Sequence, residues 1–149
     1  MIFKNGALEK NDTIDCSSLF GAFMFGLFEL DSTELKMAAE TTIKTFGATE
    51  DYVVGLPRYE NDYYQRVDPN THGNWWYITT LWLAQYYLEA GKVSSAHAII
   101  DWVIDKSMDS GVLSEQISPR DGGLISVAPL TWSHAEFIAT LLDTINEKD

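Results

Sequence analysis

The sequence predicts an all-α fold of stacked αα-hairpins, five helices in a single domain spanning residues 1–149. Three observations predict it. Apolar residues recur at helical spacing in each long segment. Helix-start and helix-stop residues bracket those segments, and the elements are of a length that stacks in antiparallel pairs. No strand pattern of useful length competes; 124–127 is at most a short extended piece. At 149 residues the chain is long enough to bury one core.

The first helix is expected over about 15–30, apolar nearly all round and so deeply buried. The second follows Asp31, where Asp31 and Glu34 make a D-x-x-E capping pattern, and ends at Phe46 before Gly47. The third starts after Asn74 and runs to Ala90, closed by Gly91. The fourth, about 93–108, sets Ala96, Ile99, Ile100, Val103 and Ile104 on one stripe. The fifth runs over about 131–145, with Phe137, Ile138, Leu141 and Leu142 expected to face inward. No internal repeat links these segments.

Composition excludes several function classes. A formal net charge of −12 repels nucleic acid and anionic membranes but does not penalise a neutral ligand. The longest apolar run, 19–28, is about half the ~20 residues of a membrane span. It follows Asp12 and Asp15 rather than a basic stretch, so it does not read as a leader, and the chain is expected to stay in the cytoplasm. The single cysteine, Cys16, permits no internal disulfide and reads as a small buried residue rather than a nucleophile. Aromatic residues make up 13% of the chain, which suits a core and a sugar-stacking surface alike.

Two connections, 47–73 and 109–130, exceed the ~12–15 residues usual in compact domains, so function is expected there. The first carries Tyr52, Arg58, Tyr59, Asp62, Tyr63 and Tyr64. It reads either as a polar site with aromatic walls for a hydroxyl-rich ligand, or as a loop held by its own Arg58–Asp62 pair. Trp75 and Trp76 stand at a helix mouth and suit either packing or a site rim. In the second, Glu115 lies among Val112, Leu113, Gln116 and Ile117, beside Arg120 and Asp121. It reads either as an exposed loop glutamate or as a partly desolvated base. Trp132 stands at the mouth of the last helix, Thr131 or Ser133 can cap it, and His134 reads as a packed or capping histidine. No His or Cys pair has metal-ligand spacing, and neither a nucleophile elbow nor a phosphate loop occurs, so no metal or cofactor is expected.

Four segments in order carry a resemblance: Arg58, Tyr59, Asp62 and Tyr64; then Gly73, Asn74 and Trp76; then Ser114, Glu115 and Gln116; then Leu130 to Ser133 with Ala135. Together they resemble the C-terminal motifs of the glucoamylase-type glycoside hydrolases, family 15. The segment 14–18 (IDCSS) also resembles the start of an inner helix in prokaryotic members. The resemblance covers about 12–145 and implies part of an (α/α)6 toroid that cleaves α-glucosides with inversion. It implies Glu115 as the catalytic base, with Arg58, Tyr59, Asp62, Tyr64, Trp76, Gln116 and Trp132 binding an α-glucoside or oligosaccharide. Nothing over 1–45 resembles the family's general acid, so the chain is expected to be inactive alone. It is also expected to pair with itself or with a separate N-terminal half. A non-catalytic remnant, or a helical carbohydrate-binding or interaction domain, is the alternative.

Overall fold

A computed structural model describes residues 2–48 and 54–146, so Tyr52 lies outside the described residues. A short hairpin comes first, β1 (Ile2–Lys4) and β2 (Ala7–Glu9), followed by α1 (Cys16–Met24) and α2 (Thr33–Phe46). Then come β3 (Trp75–Trp76), α3 (Tyr77–Glu89) and α4 (Val93–Asp105), and finally β4 (Gln116–Ile117), β5 (Leu124–Ile125) and α5 (Thr131–Asn146). The all-α class holds. The helices pair as α1 with α2 and α3 with α4, and α3 sits at the centre against α1, α4 and α5.

Local chemistry explains most boundaries. The Asp15 carboxylate caps α1 by accepting from the Ser17 N–H at 2.9 Å and the Ser17 hydroxyl at 2.7 Å. Ser32 rather than Asp31 caps α2, its hydroxyl oxygen accepting from the Leu35 N–H. Gly47 closes α2 in the left-handed region at φ 76°, as its place in the sequence suggests. Helix α3 carries a run of buried residues from Tyr77 to Leu88. It has neighbours on several sides, so a stretch without a single apolar stripe can still be helical.

Four expectations need correction. First, α1 ends at Met24, six residues before the expected end, and 24–30 is exposed rather than buried: Phe25 is 82% and Leu27 70% accessible. Second, the third helix begins at Tyr77, because Trp75 and Trp76 pair as β3 with β4, which in turn pairs with β5. Third, the hairpin at 2–9 was not expected; Asn5 and Gly6, both at positive φ, form its turn, and Asn-Gly is the residue pair such turns demand. Fourth, Ile138 and Leu142 point outward from α5 and Ile104 outward from α4. Against α3, α5 instead presents polar side chains: the Gln85 amide donates to Glu136 and to Thr140.

The small sheet continues through isolated bridges, Leu56 to Trp76 and Asp15 to Tyr59. Backbone N–H groups of Cys16 and Glu60 bond to the carbonyls of Arg58 and Ile14, both at 2.9 Å. The first long connection is thus threaded between the start of α1 and β3. Glycine makes that possible at two points. A Cβ on Gly55 would stand 2.4 Å from the Trp75 Cβ, and one on Gly73, at φ 149°, would stand 2.8 Å from the Asp62 carbonyl oxygen.

Candidate active site

The threading brings both long connections and two helix starts to one open cavity of about 390 Å³. Its wall includes Arg58 and Tyr59 from the first connection, Glu115 from the second, Trp76 from β3 and Trp132 from α5. Five of the eight residues singled out from sequence therefore meet there. The other three support it. Asp62 is buried and grips Arg58 bidentately, its two oxygens accepting from Nε at 2.7 Å and from the guanidinium NH2 at 2.8 Å. Tyr64 lies beside Arg58 and Trp76, its ring 5.2 Å from the guanidinium carbon and 6.1 Å from the indole. Gln116 is fully buried and donates to Glu115 Oε2 at 3.0 Å.

The Arg58–Asp62 pair holds the loop, and the same guanidinium lines the cavity, stacked 4.5 Å over Trp76 and 5.3 Å from the Tyr59 ring centroid. The hydrogen bond that Arg58 donates to Asp62 raises the Arg58 pKa, with partial burial opposing and the charges of Asp62, Tyr59 and Glu115 adding. The cation is thus fixed in place and in charge. Burial raises the Tyr59 pKa, with Asp62 adding to it, so its hydroxyl stays neutral and can donate.

Glu115 is half-buried, and its backbone N–H donates to the Val127 carbonyl at 2.9 Å. Its Oε2 accepts from Gln116 and from the Ser126 hydroxyl, while among the described residues nothing donates to Oε1. Ser126 and Gln65 both sit in the left-handed region, at φ 68° and 52°, and their side chains meet at 3.4 Å. Two non-glycine residues held there beside one carboxylate mark a locally strained rim, a common feature of functional sites. His134 is packed rather than catalytic in position, its Nε2 accepting from the Leu113 N–H at 3.1 Å.

Asp15, Ser17, Ile78, Thr79 and Trp82 also line the cavity and were not singled out as site residues. Thr79 follows Trp76, and Trp82 follows both Ile78 and Thr79, at i+3 or i+4 spacing, a signal that could have found them. Phe20 stacks on Trp82 with centroids 4.4 Å apart, and Trp82 meets Trp132 at 6.1 Å. The Trp132 indole N–H donates to Glu136 at 3.0 Å, which orients a ring that is 48% accessible. The indole nitrogens of Trp76 and Trp82 are buried with no partner among the described residues. Among the described residues no three His, Cys, Asp or Glu side chains converge as metal ligands would.

Comparison with known proteins bears on what this arrangement belongs to. The family described as "Glycosyl hydrolases family 15" matches residues 91–142. An uncharacterised glycosyl hydrolase of Methanocaldococcus jannaschii is 34% identical over 139 residues, covering 85% of this chain but 21% of its own length. Among solved structures, a wild-type glycosidase superposes with a TM-score of 0.72 at 21% identity, over 89% of this chain and 36% of its own. A variant of a glycosidase solved in complex with glucose gives 0.73 at 20%, over the same shares. Hormoconis resinae glucoamylase gives 0.69 at 19%, over 98% of this chain and 35% of that one. The chain thus spans about a fifth of the curated relative and about a third of these structures. By sequence and fold together, it resembles the family 15 glycosyl hydrolases, whose family description it matches over 91–142 and of whose relatives' length it spans only a part.

Proposed function

We propose that the chain is the base-carrying part of a glucoamylase-like, inverting α-glucoside hydrolase, with Glu115 taking the proton from the attacking water. The observation that supports this most is Glu115 on one cavity wall with Arg58, Tyr59, Trp76 and Trp132. Its Oε2 is occupied by two donors, while Oε1 is left for a water. Arg58, immobilised by Asp62, hydrogen-bonds sugar hydroxyls, and the accessible Trp132 ring offers a flat face. Inversion needs a second carboxyl group about 6.5 to 9.5 Å from the base to protonate the leaving oxygen. Asp15 shares the cavity, but its carboxylate is taken up by Ser17 as the cap of α1. The acid therefore comes from the remainder of the fold, on the same polypeptide or another, and these 149 residues alone do not hydrolyse. The apolar surfaces at 24–30 and on the outer face of α5 are where that remainder packs, or where two copies meet. A cytoplasmic location belongs to the same proposal.

The test is co-expression with a polypeptide supplying the remaining helices, followed by glucose release from maltose, isomaltose and trehalose. Release that Glu115→Gln lowers by about 10²-fold or more supports the reading. A stable assembly that turns over no glucoside overturns it in favour of a carbohydrate-binding domain without catalysis. Calorimetry with maltose would detect that second reading.

A further inference from the structure

Asn74 is buried, and three hydrogen bonds fix which way its amide faces. The Val67 backbone N–H lies 3.1 Å from Oδ1 and can only donate, so that atom must accept. The Gln65 carbonyl oxygen lies 2.9 Å from Nδ2 and can only accept, so that atom must donate. Nδ2 also donates to Gln116 Oε1 at 2.7 Å. With its oxygen so engaged, the buried Gln116 amide turns its nitrogen toward Glu115 Oε2, 3.0 Å away. Two backbone groups of the first long connection, neither able to reverse its polarity, therefore orient two side-chain amides in series. The last of these meets the carboxylate of the second connection.

We propose that Asn74 is a positioning residue for Glu115, acting through Gln116. It keeps an N–H, never a carbonyl oxygen, against Glu115 Oε2, so the carboxylate has one preferred rotation and turns Oε1 toward the attacking water. This rests on the reading of Glu115 as the base, though the orientation itself does not. A merely space-filling Asn74 would leave Gln116 free to turn over, which would set its oxygen against a carboxylate oxygen. Arg58, Tyr59, Asp15, Ser17 and Thr79 share the cavity with Glu115 and Ser126 bonds to it, and none of them bonds to the Gln116 side chain; the Ser114 hydroxyl reaches only the Gln116 backbone carbonyl. Arg58 acts on Glu115 by charge, and Ser126 binds the same Oε2 without reaching either amide. The Asn74–Gln116 path links the backbone of 65–67 to the base, beside a separate route from the Gln65 side chain through Ser126.

The experiment follows the Gln116 side-chain amide in nitrogen–proton correlation spectra of the chain. Glu115→Ala should move the amide proton nearest the carboxylate upfield. Asn74→Ala, with Glu115 intact, should move the same proton the same way as the amide loses its fixed orientation. An unchanged Gln116 amide in folded Asn74→Ala overturns the relay, whatever Glu115→Ala does. Should Asn74→Ala not fold, a neutron structure of the unmutated chain decides, because deuterons on Gln116 facing Asn74 overturn the proposal and deuterons facing Glu115 support it. Neither readout needs a substrate, so an inactive assembly counts against the hydrolase and not against the orientation. In an assembly that does hydrolyse, Asn74→Ala should lower kcat roughly tenfold at nearly constant KM. A rise in KM at unchanged kcat would overturn the positioning role.

Discussion

Two apolar stretches of nearly equal hydrophobic content have opposite fates. Residues 77–88 are buried along their whole length, whereas 24–30, the end of the run beginning in α1, lies at the surface with Phe25 and Leu27 largely accessible. Composition does not separate them, but neighbours do. Helix α3 packs against α1, α4 and α5, so each side of it meets protein. Beyond Met24 the chain turns at Gly26, φ 61°, and leaves α3 behind. Burial is a property of what surrounds a segment, and an apolar run shows only that it is suited to be covered.

That contrast predicts a steep gradient in mutational cost. Leu81 is fully buried in α3, the helix at the centre of the fold, so Leu81→Ala removes apolar contacts and leaves a cavity there. The expected loss is about 2–5 kcal/mol, read from the denaturant midpoint. A loss below about 1 kcal/mol would mean that the centre of the fold is loosely packed and that α3 is not its core.

The tyrosines of α3 sharpen the comparison by pH. Burial pushes the Tyr77 pKa up from 10.0 to about 12, and burial also raises that of Tyr86. A folded pKa raised above the unfolded one gives stability that is complete below the unfolded value and lost as pH climbs through the folded one. The chain should therefore lose stability between about pH 10 and pH 12. Tyr77→Phe should flatten that loss, although it gives up the bond from the hydroxyl to the Lys106 carbonyl and costs about 1 kcal/mol at neutral pH. An unfolding profile as steep in the variant as in the parent would sink this account.

How much of this was legible in the sequence divides along the same line. Helix α2 and the Gly47 and Gly91 stops follow from local chemistry and were readable within a residue or two. The meeting of Arg58, Glu115 and Trp132 was readable only through ordered motifs, because no local rule brings residue 58 to residue 115. Trp82 was missed for the same reason: its spacing from Ile78 signals a helix face but not which face meets the cavity. Trp75 and Trp76 looked like the first turn of a helix, yet pairing with residues 116–117, some 40 positions on, drew them into a strand. Ile138 and Leu142 looked like an inward stripe, and the polar contacts of Gln85, Glu136 and Thr140 claimed the inward side instead. The Asn5-Gly6 turn was fully local and could have been read.

The smallest effect on stability falls on the exposed stretch, and it tests the comparison most directly. Phe25 and Leu27 touch little of the described protein, so the double change Phe25→Ser and Leu27→Ser should leave unfolding free energy within about 0.5 kcal/mol of the parent. Its consequence should appear in association. An accessible apolar strip on a chain that spans only about a third of the solved structures it resembles favours contact with whatever completes the fold, or with a second copy. Light scattering at micromolar concentration should show the parent associating and the double variant shifted toward monomer. A parent that is already monomeric, with a variant no different from it, would mean that this strip needs no cover and that the difference between the two stretches has no consequence for assembly.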